Sequence, residues 1–392
     1  MRPEGYPLLE RGHDGEPFIY LDSASTTPRP RTVIEAVSGY SERLGANVHR
    51  GLHPLAEGST EAFERARHRV AAFIGAHPSE IIFTRNATES LNLLAKAMNL
   101  GPDDEVIFPA SEHHSNQLPW RVNAKPVLVD IDDEGLPRWE QLASRLTART
   151  RLVSVAHVSN VTGVIAPIEE WIQTAHAAGV PVAIDAAQSI AHLPIDVRAL
   201  DCDYLAFSSH KMFGPHGVGV LYVRRDRYAQ LGLGNVGGGM VSLLHEERFE
   251  TREPPFRYEA GTPNIEGVIG LGAAIEHLQR IGMGKIFAHA QALGEQLITG
   301  LRTLPRARLL GGRGARRIAL TSLALTLPNM SATDLARLLA DAHGIYLSGG
   351  YHCAHLLHER LELPGTLRAS AQIFNDAGDI DALLRALHEL SR

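Results

Sequence analysis

The stretch "DYLAFSSHKMFGPHGVGVLYV", Asp203 to Val223, decides how this chain is read. Tyr204 to Phe207 has the apolar pattern of a short buried strand, and Val218 to Val223 forms another. Between them stand Ser208, Ser209, His210 and Lys211, then Gly214, Pro215 and Gly217, which punctuate a turn. A lysine just past a buried strand, beside hydroxyls and an imidazole, has two readings. It is a solvated surface residue, as most lysines are, or an amine held in a site as nucleophile or anion clamp.

Working outward, apolar runs alternate with helical patterns. "EVIFPA" (105–110), "KPVLVDI" (125–131), "RLVSVAHV" (151–158), "VPVAIDAA" (180–187) and "YLAFSS" (204–209) read as strands. "NATESLNLLAKAMN" (86–99) reads as a helix, with Leu91, Leu94, Ala95 and Met98 on one face. "EEWIQTAHAAGV" (169–180) is a second helix, ended by Gly179. Alternation with Val- and Ile-rich strands predicts an α/β fold with a mostly parallel sheet covered on both faces. Ligands of such sheets sit beyond the carboxyl ends of the strands.

From about residue 264 the pattern changes. "NIEGVIGLGAAIEHLQRIG" predicts a long helix, more helices follow near 285–302, 332–342 and 379–390, and "IALTSLALTL" (318–327) alternates like a half-buried strand. The expected division is a large domain over 19–268 and a smaller α+β domain from 1–18 and 269–392, with the break inside the long helix.

Composition limits the function. The 392 residues are 44% hydrophobic and 21% charged with net charge −6, so a globular chain is expected and nucleic acid is not. No uninterrupted apolar run reaches the roughly 18 residues of a membrane span. The start, "MRPEGYPLLERGHDGEPFIYLD", lacks the apolar core of a secretory signal. Two cysteines, Cys202 and Cys353, make no disulfide framework, which points to the cytoplasm.

The remaining polar residues gather at predicted strand ends. Asp185 closes "VPVAI"; it either caps a following helix or faces a cationic ring nitrogen, with Gln188 close behind. "FTRNATESLN" leads from a strand into a helix whose first N–H groups, with the Thr88 hydroxyl, suit an anion. "PASEHHSNQLPW" offers His113 and His114; without a second ligand motif, metal is not expected, and a flat imidazole stacked on a flat ligand is the better functional reading. A phosphate nest, an acid for a ring nitrogen, a stacking group and an amine together describe what pyridoxal phosphate needs.

"YLDSASTTPRP", "VHRGLHPLA", "EHHSNQLPW", "HVSNVTG", "IDAAQS", "DCDYLAFSSHKMFGPHGVGVLY", "EAGTPN" and "YHCA…RAS…FNDAGDID" occur in the order seen in one family. Over nearly its whole length the chain resembles the class V aminotransferase-fold enzymes, in particular the cysteine desulfurase and selenocysteine lyase group of the SUF type. The resemblance implies an aspartate-aminotransferase-like fold and pyridoxal 5'-phosphate as cofactor. It makes Lys211 the cofactor lysine, Asp185 the partner of the pyridine nitrogen, Gln188 that of the phenolic oxygen, and His113 the stacking group and proton carrier. Thr88, Ser208 and His210 would hold the phosphate. Thr262 would reach the partner subunit's phosphate, so a homodimer is implied, with His49 and Arg50 near its active sites. Asn160 and Arg368 would bind the carboxylate of an amino-acid substrate, a task that suits the arginine fork.

Cys353 falls where the family keeps its sulfur nucleophile. A lone cysteine is ordinarily a small buried hydrophobe; that suits Cys202, expected in a strand, better than Cys353 in "SGGYHCAH". His352, His355 and His358 suggest a rival metal cluster, or an imidazolium that activates the thiol. The implied reaction is L-cysteine to L-alanine, with a persulfide passed to an acceptor protein for iron–sulfur cluster or other sulfur metabolism, and selenocysteine as a companion substrate. Two positions depart from the family pattern. Ala87 replaces the first of two threonines, and Ser348 replaces an arginine five residues before the cysteine. The second departure keeps open another pyridoxal-phosphate lyase, decarboxylase or epimerase; a cofactor-binding scaffold or sulfur carrier without turnover is the remaining alternative.

Overall fold

A computed structural model describes residues 5–326 and 330–391. The opening stretch lies at the heart of a seven-stranded sheet. Its strands are Ile81–Thr84 (β1), Glu105–Pro109 (β2), Lys125–Val129 (β3), Thr150–Ala156 (β4), Val182–Asp185 (β5), Tyr204–Ser208 (β6) and Gly219–Val223 (β7). They lie in the order β1-β7-β6-β5-β4-β2-β3, and only β7 runs antiparallel to its neighbours. Every residue of β5, β6 and β7 is buried, so both faces of the sheet are covered. This is the doubly covered, mostly parallel sheet that the Val- and Ile-rich runs predict.

The sheet's main core joins Ile107, Val153, Ile184 and Phe207 to helices Pro54–Phe73 and Ile265–Ile281 through Phe63, Val70, Leu271 and Ile275. The opposite face packs on helix Ala87–Ala97 through Leu91, Leu94 and Ala95. A smaller antiparallel sheet runs Ala307–Leu309, Leu320–Leu325, Thr366–Ser370, Ser348–Gly350. Helices Met283–Leu301, Ala332–His343 and Ala377–Leu390 cover it with Leu297, Leu339 and Leu383. The strand expected over 318–327 is Leu320–Leu325, and its last expected residue lies outside the described residues.

The N-terminal segment serves both cores. Ile19–Tyr20 pair in parallel with Ile345–Tyr346 beside the smaller sheet. Tyr6 instead enters the main core, where its hydroxyl bonds His277 Nε2 at 2.8 Å and its ring packs on Phe213. Cys202 is fully buried as expected of a small hydrophobe, but in the loop entering β6 rather than in a strand. Among the described residues no helix is long and apolar enough to cross a membrane.

Candidate active site

The carboxyl ends of β2, β4, β5 and β6 and the helix after β1 open onto one cavity of about 470 Å³. It is lined by Thr88, His113, Asn160, Asp185, Gln188, Ser208, His210 and Lys211 from the large sheet's loops. Ser348, His352, Cys353 and Arg368 line it from the smaller sheet. The large sheet's residues meet here because parallel strands deliver their loops to the same edge, and the smaller sheet closes over that edge.

The lysine turn is a short 3-10 segment, Ser209–Lys211, set by β6. Burial pushes the Lys211 amine below its ordinary pKa, against the pull of Asp185. A larger share of it is therefore uncharged and nucleophilic. Asp185 ends β5 and is followed by turns, the next helix starting only at Val197 with Asp196 as its cap, so the capping reading does not apply. One carboxylate oxygen accepts the Ala187 N–H at 2.9 Å. Burial nonetheless raises the Asp185 pKa, with the Ala187 bond and Lys211 opposing. A buried carboxylate in that condition calls for a cation.

The anion end is built around the start of helix Ala87–Ala97. Ser208 Oγ accepts the Ala87 N–H at 2.8 Å, which leaves its own proton to donate into the cavity. Thr88 Oγ1 meets Ser115 Oγ at 2.7 Å. His210 Nδ1 is buried without a hydrogen-bond partner among the described residues. Burial first, then Lys211, lowers the His210 pKa to about 4. Gln188 gives one amide proton to the Ala24 carbonyl at 2.9 Å and keeps a second.

His113 Nδ1 accepts the Ser115 N–H at 3.0 Å. Its pKa falls to about 3, by burial first and then by Lys211. The ring is therefore neutral with its proton on Nε2. Opposite it, Arg368 gives hydrogen bonds to the Asn160 carbonyl at 3.1 Å, Ser25 Oγ at 2.8 Å and Asp22 Oδ1 at 3.3 Å. Its Nε is buried with no partner among the described residues. Ser348 faces Arg368 across the small sheet and donates to the same Asp22 oxygen at 2.8 Å.

Cys353 is exposed on a turn where both His352 and Cys353 adopt positive φ, +50° and +56°. Asn160 Nδ2 donates to the His352 carbonyl at 2.8 Å. The three histidines do not converge. His352 and His358 bond Thr366, whereas His355 turns toward His114. Burial lowers the His352 pKa to about 3, so it is not a standing imidazolium beside the thiol.

Thr262, His49 and Arg50 are not among the lining residues. Thr262 is exposed, with Asn47 Nδ2 at 3.5 Å. His49 lies edge-on to Phe63 and Phe256, with Nε2 3.4 Å from Glu64. Asp22, Ser25 and Ser115, absent from the sequence-based set, belong to the site through Arg368 and Thr88. Asp22 and Ser25 stand in the quoted block "YLDSASTTPRP", where their polarity was the available signal.

The description aminotransferase class-V matches residues 19–383. The chain belongs to that family. A probable cysteine desulfurase of Synechocystis is 38% identical, over 99% of this chain and 94% of that protein. The apo cysteine desulfurase of Thermococcus onnurineus superposes with TM-score 0.91 at 36% identity, covering 95% of this chain and 94% of that one. The Escherichia coli cysteine desulfurase CsdA gives TM-score 0.89 at 34% identity, over 99% and 97% of the two chains. Within the class-V aminotransferases this chain groups with the cysteine desulfurases, which are pyridoxal-phosphate enzymes.

Proposed function

We propose that this chain converts L-cysteine to L-alanine and takes the sulfur onto Cys353 as a persulfide. The observation that carries the proposal is that Cys353 lines the same cavity as Lys211 and Asp185. The lining fits pyridoxal phosphate. Asp185 is a buried carboxylate whose pKa burial raises despite Lys211, His210 Nδ1 has no hydrogen-bond partner among the described residues, and a helix N-terminus opens beside Ser208 and Thr88. Lys211 would hold the cofactor covalently, Asp185 its ring nitrogen, Gln188 its phenolic oxygen, and Ser208, His210 and Thr88 its phosphate, with His113 against the ring. When bound, the cofactor supplies a sink for the electrons released at the substrate's α-carbon.

The chain's own groups do the rest. Arg368, with Asn160 beside it on the cavity wall, would hold the substrate carboxylate. Lys211, its pKa lowered by burial, takes the α-proton and returns it. His113 offers its Nε2 proton to the cavity. The Cys353 thiolate attacks the substrate sulfur. An S–S bond forms, the Cβ–S bond breaks with its electron pair left on Cβ, and Cβ takes up one proton.

The same proposal includes an acceptor protein that removes the sulfur, selenocysteine as a second substrate, and a cytoplasmic setting. It also includes a homodimer in which Thr262, His49 and Arg50 meet the partner's site. Exposed Leu52, Val236 and Leu244 support the dimer. Two cores support a division into two domains, but Tyr6 and the whole helix Ile265–Ile281 pack in the main core, so the expected boundaries, 19–268 against 1–18 with 269–392, do not follow the packing there. Ser348 favours one second reading, a lyase, decarboxylase or epimerase acting on a different side chain. The test is Cys353→Ala. Persulfide formation from cysteine should vanish, measured by mass spectrometry, while the visible spectrum of the bound cofactor stays unchanged. Undiminished alanine release by this variant would remove the proposal in favour of the second reading.

A further inference from the structure

His113 and His114 are adjacent in sequence and serve different places. His113 lines the cavity, whereas His114 grips the cysteine turn at two points. Its backbone N–H donates to the Cys353 carbonyl at 2.8 Å. Its Nε2 accepts the His355 N–H at 3.4 Å and lies 3.1 Å from His355 Nδ1. The His114 and His355 rings stack at 4.9 Å, and Tyr351 stacks on the far face of His355 at 4.4 Å. The first grip falls on Cys353, which with its neighbour His352 adopts positive φ, a pair of conformations that non-glycine residues avoid, and the second falls two residues on, at His355. Polar bonds from outside the turn therefore hold it against its own backbone preference.

We propose that His114, through His355, is the positioning residue for Cys353: it clamps the strained turn so that the thiol faces the cavity. The inference rests on the reading of Cys353 as sulfur nucleophile. The clamp needs an unprotonated Nε2, because its one lone pair is what His355 donates to, shared between the backbone N–H and the ring Nδ1. The titratable groups around it are His113 on its own segment and His355, Tyr351, Cys353 and His358 on or beside the turn. Burial, then His355, depresses the His114 pKa. The clamp therefore persists through the ordinary histidine range and is released only at lower pH.

The test uses the cofactor-loaded full-length protein. Single-turnover persulfide formation on Cys353 is followed by rapid quench and mass spectrometry, and cysteine binding by the cofactor's absorbance. Losing one or two net hydrogen bonds, His114→Ala should slow persulfide formation about tenfold and leave the cysteine dissociation constant within about twofold. His114→Gln places an amide oxygen near the position of Nε2 and cannot be protonated. It should keep most of the rate and lose the acid-side decline. His355→Ala removes only the ring bond and should slow the step about threefold; it supplies the answer if His114→Ala does not fold. A wild-type rate in both alanine variants, a parallel loss of binding, or a Gln variant as slow as Ala would overturn the clamp. A wild type that forms no persulfide on Cys353 would overturn the desulfurase reading itself, and the clamp with it.

Discussion

The lysine turn and the cysteine turn face each other across one cavity, and they are held by different forces. Ser209–Lys211 is pinned by backbone bonds, Ser209 N–H to Val218 C=O at 2.9 Å and Gly214 N–H to Ser209 C=O at 3.0 Å. Met212 and Phe213 behind it are wholly buried. The cysteine turn also has backbone bonds, Ala354 N–H to Tyr351 C=O and His114 N–H to Cys353 C=O, both at 2.8 Å, but it carries no such apolar anchor at its tip: Tyr351 and Cys353 are exposed, and the side chains of Asn160 and His114 add the remaining bonds. The contrast teaches that the cofactor end of the site is fixed by the core. The sulfur end is held by a few polar bonds around an exposed tip, and Ser348 stands at that end.

Three measurements break or sharpen that contrast. The largest effect is expected at the fixed end. Lys211→Ala should lower turnover of cysteine by at least about 10³-fold, since both the covalent anchor and the proton acceptor are lost. Borohydride reduction of the wild type should fix the cofactor to Lys211, and a reduced adduct mapped to any other lysine would contradict the assignment.

A smaller change is expected at the adjustable end. Ser348 shares Asp22 with Arg368, so an arginine there would sit beside the same acid, facing the substrate. A charged hydrogen bond to the substrate or persulfide anion is worth roughly 1.5–3 kcal/mol, so Ser348→Arg should raise kcat/KM on cysteine about 10- to 100-fold. A fall instead, with a wild type that prefers an amino acid without sulfur, would mean that Ser348 marks a different substrate pocket.

The mildest test compares the two ends under acid. His113 and His352, with pKa values near 3, and His157, His192 and His210, near 4, are all depressed by burial. The unfolded chain binds these protons near pH 6.5, earlier than the folded one does. The stability they contribute is complete above about pH 6.5 and is lost as pH falls toward 4. The melting temperature should decline steadily over that window. A flat profile would show that these rings are charged in the folded state.

Strand periodicity made the large sheet legible. The run Ile81–Thr84 and the apolar tips at Asp185 and Ser208 were readable because a doubly covered strand has few polar residues to misplace. Helices Arg31–Arg43 and Pro54–Phe73 escaped that reading; both carry many charged and polar residues, and each buries only a narrow face against Ile265–Ile281. The hairpin of Val241–Leu244 and Phe249–Thr251 also escaped, since its strands are short and largely exposed.

By itself the sequence determined the covered parallel sheet, the lysine at its edge and the cofactor chemistry those residues suit. Local patterns of burial and polarity depend on neighbours a few positions away. The tertiary structure alone decided that Asp22 and Ser25 hold Arg368, that Ser348 leans on the same acid, and that His355 meets His114. Asp22 and Arg368 are 346 residues apart, as are no two groups that periodicity can relate. Only the closing of the smaller sheet over the strand ends brings them within hydrogen-bonding distance, and side-chain bonds at that range leave no pattern in the chain.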